Sequence, residues 1–161
     1  MYSLNPSNGK IKQLQAKEDV ISDYSIANQA FEMVYFGLSA SNSQRLYTYN
    51  LKNDASSCLI DLSKEILRDV TLGEVQDWNF VSAQGDTIYG RFYLPPHFDA
   101  TKKYPMIVNY YGGTTPTARV MESRYPSHVY AGLGYIVYII QPSGATGFGQ
   151  EFSARHVNAL S

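Results

Sequence analysis

The sequence predicts a mixed architecture: the closing blades of a β-propeller over residues 1–72, then the opening, truncated part of an α/β domain over residues 73–161. Three observations carry this expectation. The first is an internal repeat at an offset of 45 residues. The second is a pair of nearly continuous apolar runs, 106–111 and 135–140, each followed by a loop containing glycines. The third is a break in pattern near Thr71-Leu72, where repeat-like strands give way to a long hairpin.

The repeat aligns Tyr2-Ser3-Leu4-Asn5, on through Asn8 to Leu14, with Tyr47-Thr48-Tyr49-Asn50, on through Asn53 to Leu59. Periods of about 40–50 residues are those of propeller blades, in which strand, polar turn and strand recur. Pro6-Ser7-Asn8-Gly9 and Asn53-Asp54 supply the turn chemistry. With a strand at 31–37 between the copies, roughly one and a half blades are expected. Blades bury their faces only against neighbours, so further blades are expected at the amino end. Leu62 to Asp69 reads as a short helical turn or a connector.

From Glu74 a hairpin begins in which Trp78 and Phe80 alternate, residues 83–86 turn, and Ile88, Gly90, Phe92 and Leu94 share one face. Pro95-Pro96 ends it. The runs at 106–111 and 135–140 have the pattern of parallel strands buried on both faces. Pro126 to Ala131 is the expected crossover helix, opened by the proline and closed by Gly132-Leu133-Gly134. A last helical stretch from Glu151 would place Phe152, His156 and Leu160 on one face.

Composition narrows the function classes. A net charge of -1 argues against a nucleic-acid partner, and no apolar run reaches the roughly 18 residues of a membrane span. No signal peptide opens the chain, so an exported parent would carry its targeting segment upstream, and the compartment stays undetermined. The single cysteine, Cys58, rules out an internal disulfide framework and is expected to fill space in a strand. Charged residues make up only 17%, which suggests surface that is covered by something else.

Few residues qualify as reactive. A G-x-S-x-G nucleophile elbow is absent; Ser39 and Ser143 each lack a required glycine. The glycines from Gly144 to Gly149 do not have the order of a dinucleotide loop, and no cofactor is expected. His97, His128 and His156 have no metal-binding spacing; the first two are expected at the surface and His156 as a hydrogen-bonded structural residue. Tyr111 is the remaining candidate. A phenol at the carboxyl end of a strand can donate a hydrogen bond to a developing oxyanion, provided it is held in place; the alternative is an aromatic filling space beside Gly112.

Lys102-Lys-Tyr-Pro-Met-Ile-Val108, Tyr111-Gly-Gly113, Gly134-Tyr-Ile-Val137 and Pro142-Ser-Gly-Ala-Thr-Gly-Phe-Gly149, in that order and spacing, resemble the prolyl oligopeptidase family of serine peptidases, in particular its dipeptidyl-peptidase and acylaminoacyl-peptidase-like members. The resemblance is strong from Trp78 to Leu160 and generic over residues 1–72. It implies a β-propeller followed by an α/β-hydrolase domain whose Ser-Asp-His triad cuts short peptides, often after proline or alanine. It also implies that Tyr111 is one oxyanion donor and that the triad follows this point, so that the chain, ending at Ser161, stops ahead of its nucleophile and is inactive alone. Many relatives have Asp-Pro-Arg-Gly where Gln141-Pro142-Ser143-Gly144 stands, which leaves the role of Ser143 open. The acidic pair that holds a free amino terminus in dipeptidyl peptidases is not identifiable. Two other readings stay open: a non-enzymatic β-rich binding module, and an esterase of the same hydrolase fold. A homo-oligomer is possible for the peptidase, whereas the binding module is expected to be monomeric.

Overall fold

The computed structural model describes residues 1–157. They divide into two compact units, Met1–Val70 and a second beginning at Thr71. The chain is rich in β-strand and has three short helices among the described residues.

The first unit opens with an antiparallel hairpin of β1 (Tyr2–Leu4) and β2 (Ile11–Gln13). A four-stranded antiparallel meander follows, β3 (Val20–Ile26), β4 (Glu32–Leu38), β5 (Arg45–Asn50) and β6 (Ala55–Asp61). The repeat seen in the sequence is a repeat of strand register. Tyr2, Ser3 and Leu4 face Gln13, Lys12 and Ile11. Forty-five positions on for both members of each pair, Tyr47, Thr48 and Tyr49 face Cys58, Ser57 and Ser56. The turns match as well: the Asn5 side-chain oxygen accepts the amide of Ser7 at 2.9 Å, and that of Asn50 accepts the amide of Lys52 at 3.0 Å. Four residues after each asparagine the backbone is left-handed, at Gly9 (φ 69°) and Asp54 (φ 58°). The described residues form no closed propeller.

Strand β3 was not foreseen, because its sequence, Val-Ile-Ser-Asp-Tyr-Ser-Ile, neither alternates cleanly nor runs apolar, and its pairing on β4 shifts register between Ile21 and Asp23. The core of the unit is aromatic: Met33, Tyr35, Tyr47 and Tyr49, joined by Met1, Leu14, Ala16, Ile21 and Leu51. Cys58 does not fill space in it. Its thiol is exposed on β6, the outermost strand of the sheet. The short helix α1 (Leu62–Ile66) is capped by Asp61, which accepts the amide of Lys64 at 3.3 Å.

In the second unit, β7 (Val75–Asp77) and β8 (Phe80–Val81) lie on β9 (Thr87–Tyr93) in one continuous register. Between them Asn79 substitutes its side-chain oxygen for a main-chain carbonyl, accepting from the Gly90 amide at 3.1 Å. Beyond β9 come β10 (Met106–Asn109), α2 (Ser127–Gly132) and β11 (Ile136–Gln141), and the sheet order is β10-β11-β9-β7. Strands β10 and β11 are parallel and α2 crosses between them, as the sequence predicts; Pro126 stands one place earlier than expected, at the cap.

The two apolar runs have different fates. Strand β11 lies inside the sheet with Val137, Tyr138 and Ile139 buried. Strand β10 is the last strand, and Met106 (52%) and Val108 (48%) are exposed, so it is covered on one face only. Its β-structure ends at Asn109, leaving Tyr110 and Tyr111 in the loop. The last helix, α3 (Gln150–Ala154), is shorter than expected. Phe152 packs with Ile88 and Ala145, whereas His156 follows in a turn and does not share a helical face with it. Leu160 lies outside the described residues. No helix among the described residues is long and apolar enough to cross a membrane.

Candidate functional site

Strand β10 delivers the chain to the edge where its parallel neighbour β11 also ends, and the loop 110–118 opens there. Tyr111 is 55% exposed, and among the described residues nothing hydrogen-bonds its hydroxyl. Its ring is nevertheless placed. It folds back over Gly113, where a Cβ would come within 2.5 Å of the tyrosine Cε1, so any other residue would displace it. A cleft of about 420 Å³ opens beside it, lined by Asn109, Tyr110, Tyr111, Thr117, Arg124 and Tyr125 among others.

The backbone beneath Tyr111 is held by the last residue of β11 and by residues that follow it. The Gly113 carbonyl lies 3.2 Å from His156 Nε2, an arrangement that requires this nitrogen to carry the proton and donate. The imidazole occupies the space that a side chain on Gly144 would fill, and Gly144 has φ +93°, so both backbone conformation and room demand glycine there. Thr114 O accepts from the Thr146 amide at 2.8 Å and from its hydroxyl at 3.1 Å. Further along, Gln141 Oε1 accepts the Thr117 amide at 2.8 Å while Gln141 Nε2 donates to Thr117 O at 2.7 Å. His156 is thus a hydrogen-bonded structural histidine, as expected from its sequence context. Thr146 and Gln141 carried no local sequence signal, since their partners lie 32 and 24 residues away.

Ser143 donates to Asp86 Oδ2 at 2.9 Å, and Arg155 Nη2 stands 3.2 Å from Asp86 Oδ1. The charge that faces Asp86 therefore comes from Arg155, with a hydroxyl contributed by position 143. Asp86 carries no functional signal in the sequence because it sits in the hairpin turn, where an aspartate is unremarkable. His97 is exposed, as expected. His128 is half-buried, and its ring meets Tyr93 edge-on at 5.0 Å.

The first unit also gathers charge. Glu18 accepts from Arg45 Nη1 at 3.0 Å and from the Tyr47 hydroxyl, and Arg45 Nε lies 3.0 Å from Asp61 Oδ2. The Arg45 guanidinium holds the Asp61 carboxyl below its usual range, while burial and then the Glu18 carboxylate push the Tyr47 phenol up. Each group has its partner within the cluster, so the arrangement is a clamp on the sheet.

No family model matches the chain. Among curated proteins it is similar to dipeptidyl-peptidase 5 of Porphyromonas gingivalis, 29% identical over 154 residues, which is 95% of this chain and 22% of that protein. It is also similar to human dipeptidyl peptidase 8, 34% identical over 92 residues, 53% of this chain and 10% of that protein. Among solved structures, the acylaminoacyl peptidase of Pyrococcus horikoshii superposes on 92% of this chain with a TM-score of 0.76 at 20% identity, using 23% of its own length. Similarity to a dipeptidyl-peptidase along nearly the whole sequence, together with the same fold in a solved acylaminoacyl peptidase, supports the resemblance to prolyl oligopeptidase family peptidases. It spans about a fifth of the length of the relatives it matches most fully.

Proposed function

We propose that this chain is the section of a serine peptidase in which the last blades of a β-propeller, residues 1–72, give way to the first strands of an α/β-hydrolase domain, residues 73–161. In this reading Tyr111 donates one hydrogen bond to the oxyanion formed when short peptides are hydrolysed, often after proline or alanine. The observation that carries it is the state of Tyr111: a placed ring with an uncommitted hydroxyl, on a loop tied down at three points, beside a cleft. A donor that is fixed before the reaction does not have to reorganise as charge develops, which is where such groups gain their effect. At 55% exposure the phenol is still wetted, so the bound peptide has to supply the desolvation.

The nucleophile is a separate matter. The 161 residues contain no G-x-S-x-G, and the chain alone is expected to be inactive. Chromogenic dipeptide substrates carrying proline or alanine should show no turnover with it. The intact parent enzyme should be active, and Tyr111→Phe should lower its kcat by about a hundredfold or more with little change in KM. Full activity of Tyr111→Phe would reduce Tyr111 to packing over Gly113.

A further inference from the structure

We infer that Gln141 is a positioning residue for Tyr111: its carboxamide fixes the loop that presents the phenol. This rests on the reading of Tyr111 as oxyanion donor. Gln141 ends β11 and its side chain is fully buried, at 0% exposure, where a polar group is tolerated only if its hydrogen bonds are met. They are met by one residue of the loop. The amide of Thr117 donates to Oε1 at 2.8 Å and Nε2 donates to the carbonyl of Thr117 at 2.7 Å, while the Thr117 hydroxyl reaches Ile140 O at 3.0 Å. The loop backbone is thereby joined to β11 as a further strand would be, by a donor and an acceptor at one residue.

Of the three attachments under the loop, this one is set apart by its surroundings. Thr146 is exposed and His156 half-buried, so water can replace either contact. Nothing replaces the pair at Gln141. Thr117 also lines the cleft that Tyr111 borders, so the attachment lies in the wall of that cleft. A carboxamide carries its acceptor and its donor on two neighbouring atoms in one plane, which matches the amide and carbonyl of a single residue; a carboxylate accepts twice and would face the Thr117 carbonyl with negative charge. The sequence of Gln141 is thus explained by the geometry of a loop 24 residues earlier.

The test is a double-mutant cycle in the intact parent enzyme, using a dipeptide chromogenic substrate and circular dichroism to verify folding. Gln141→Met keeps the volume and removes both hydrogen bonds; Gln141→Glu keeps the shape and removes the donor. Each should lower kcat by about tenfold or more with KM within about twofold, as loss of geometry at a donor used only in the transition state requires. In a Tyr111→Phe background the same substitutions should lower kcat by no more than about a further twofold, because the residue acts through the phenol. An equal loss in both backgrounds, or no loss in either, overturns the inference and leaves the role of Tyr111 standing. A fully active Tyr111→Phe enzyme overturns both. Should Gln141→Met fail to fold, Gln141→Glu alone completes the cycle. Should both fail, faster amide hydrogen exchange across 112–118 in His156→Gln, without loss of kcat, would show that loop order does not govern the phenol and would equally overturn it.

Discussion

Tyrosines mark the difference between the two units. In the first, Tyr35 and Tyr49 are almost fully buried and their hydroxyls are struts: Tyr35 Oη accepts the Lys17 amide at 2.8 Å and meets Ser56, and Tyr49 Oη accepts the Gln15 amide at 3.0 Å. In the second, Tyr111 keeps its ring in place through Gly113 and leaves its hydroxyl uncommitted. A phenol used in folding has spent its hydrogen-bonding capacity, whereas one that serves a reaction must retain it. Exposure alone would not separate them, since several exposed tyrosines flank strands; a seated ring with an unused hydroxyl does.

The largest effect that can break this contrast is truncation. Tyr49→Ala removes a fully buried ring from the aromatic core and should destabilise the first unit by about 3–5 kcal/mol in urea unfolding. Tyr111→Ala, taken from the surface, should change stability by less than about 0.5 kcal/mol. The finer version removes only the oxygens. Tyr49→Phe should cost about 1 kcal/mol through the loss of the Gln15 contact, and Tyr111→Phe nothing measurable. A destabilisation of the second variant comparable to that of the first would mean that Tyr111 is structural, and the contrast would fail.

A smaller effect tests the repeat. Asn50 accepts the amides of both Lys52 and Asn53, at 3.0 and 3.2 Å, whereas Asn5 accepts that of Ser7 at 2.9 Å. Asn50→Ala should therefore lower the stability of the first unit by about 1 kcal/mol. Asn5→Ala, in a hairpin whose residues are all exposed, should lower it by less. Equal losses would indicate that the two hairpins contribute alike, despite one being built into the four-stranded sheet.

What the sequence revealed follows the range of the interactions. The hairpin repeat was legible because strand register and an Asx turn are decided within about a dozen residues, and a 45-residue offset between identical solutions can be seen by eye. The loop at Tyr111 was legible from the glycines beside it, whereas the role proposed for the phenol came from the resemblance. Gln141 was not, because its partner is in a loop on the far side of a helix, and a glutamine at a strand end has no local meaning. The exposure of β10 was equally hidden: Met-Ile-Val-Asn reads as a buried strand, and whether a neighbour covers it is a property of the sheet. Strand β3 went unseen since register with β4, and not its own pattern, makes it a strand.

Both units use one electrostatic device, and it allows the weakest but most direct comparison. Arg45 and Asp61 are register partners on β5 and β6, and Asp77 and Arg91 are register partners on β7 and β9. In each, the arginine holds the carboxyl below its usual range. A carboxylate whose folded-state pKa is depressed contributes stability that is fully present above its unfolded value of about 3.9 and is lost as pH falls through the folded value. Asp61→Asn keeps a residue able to cap α1 while removing the charge, so the difference from wild type should be largest near neutral pH and vanish well below pH ~3.9. Side-chain exposure of 28% at Asp61 and 57% at Asp77 sets the order: the first pair should be worth up to about 1 kcal/mol and the second less, and both should weaken in salt. A difference at Asp61 that persists at pH ~2 would assign the effect to the helix cap, and the shared device would then be a likeness of geometry without a likeness of energy.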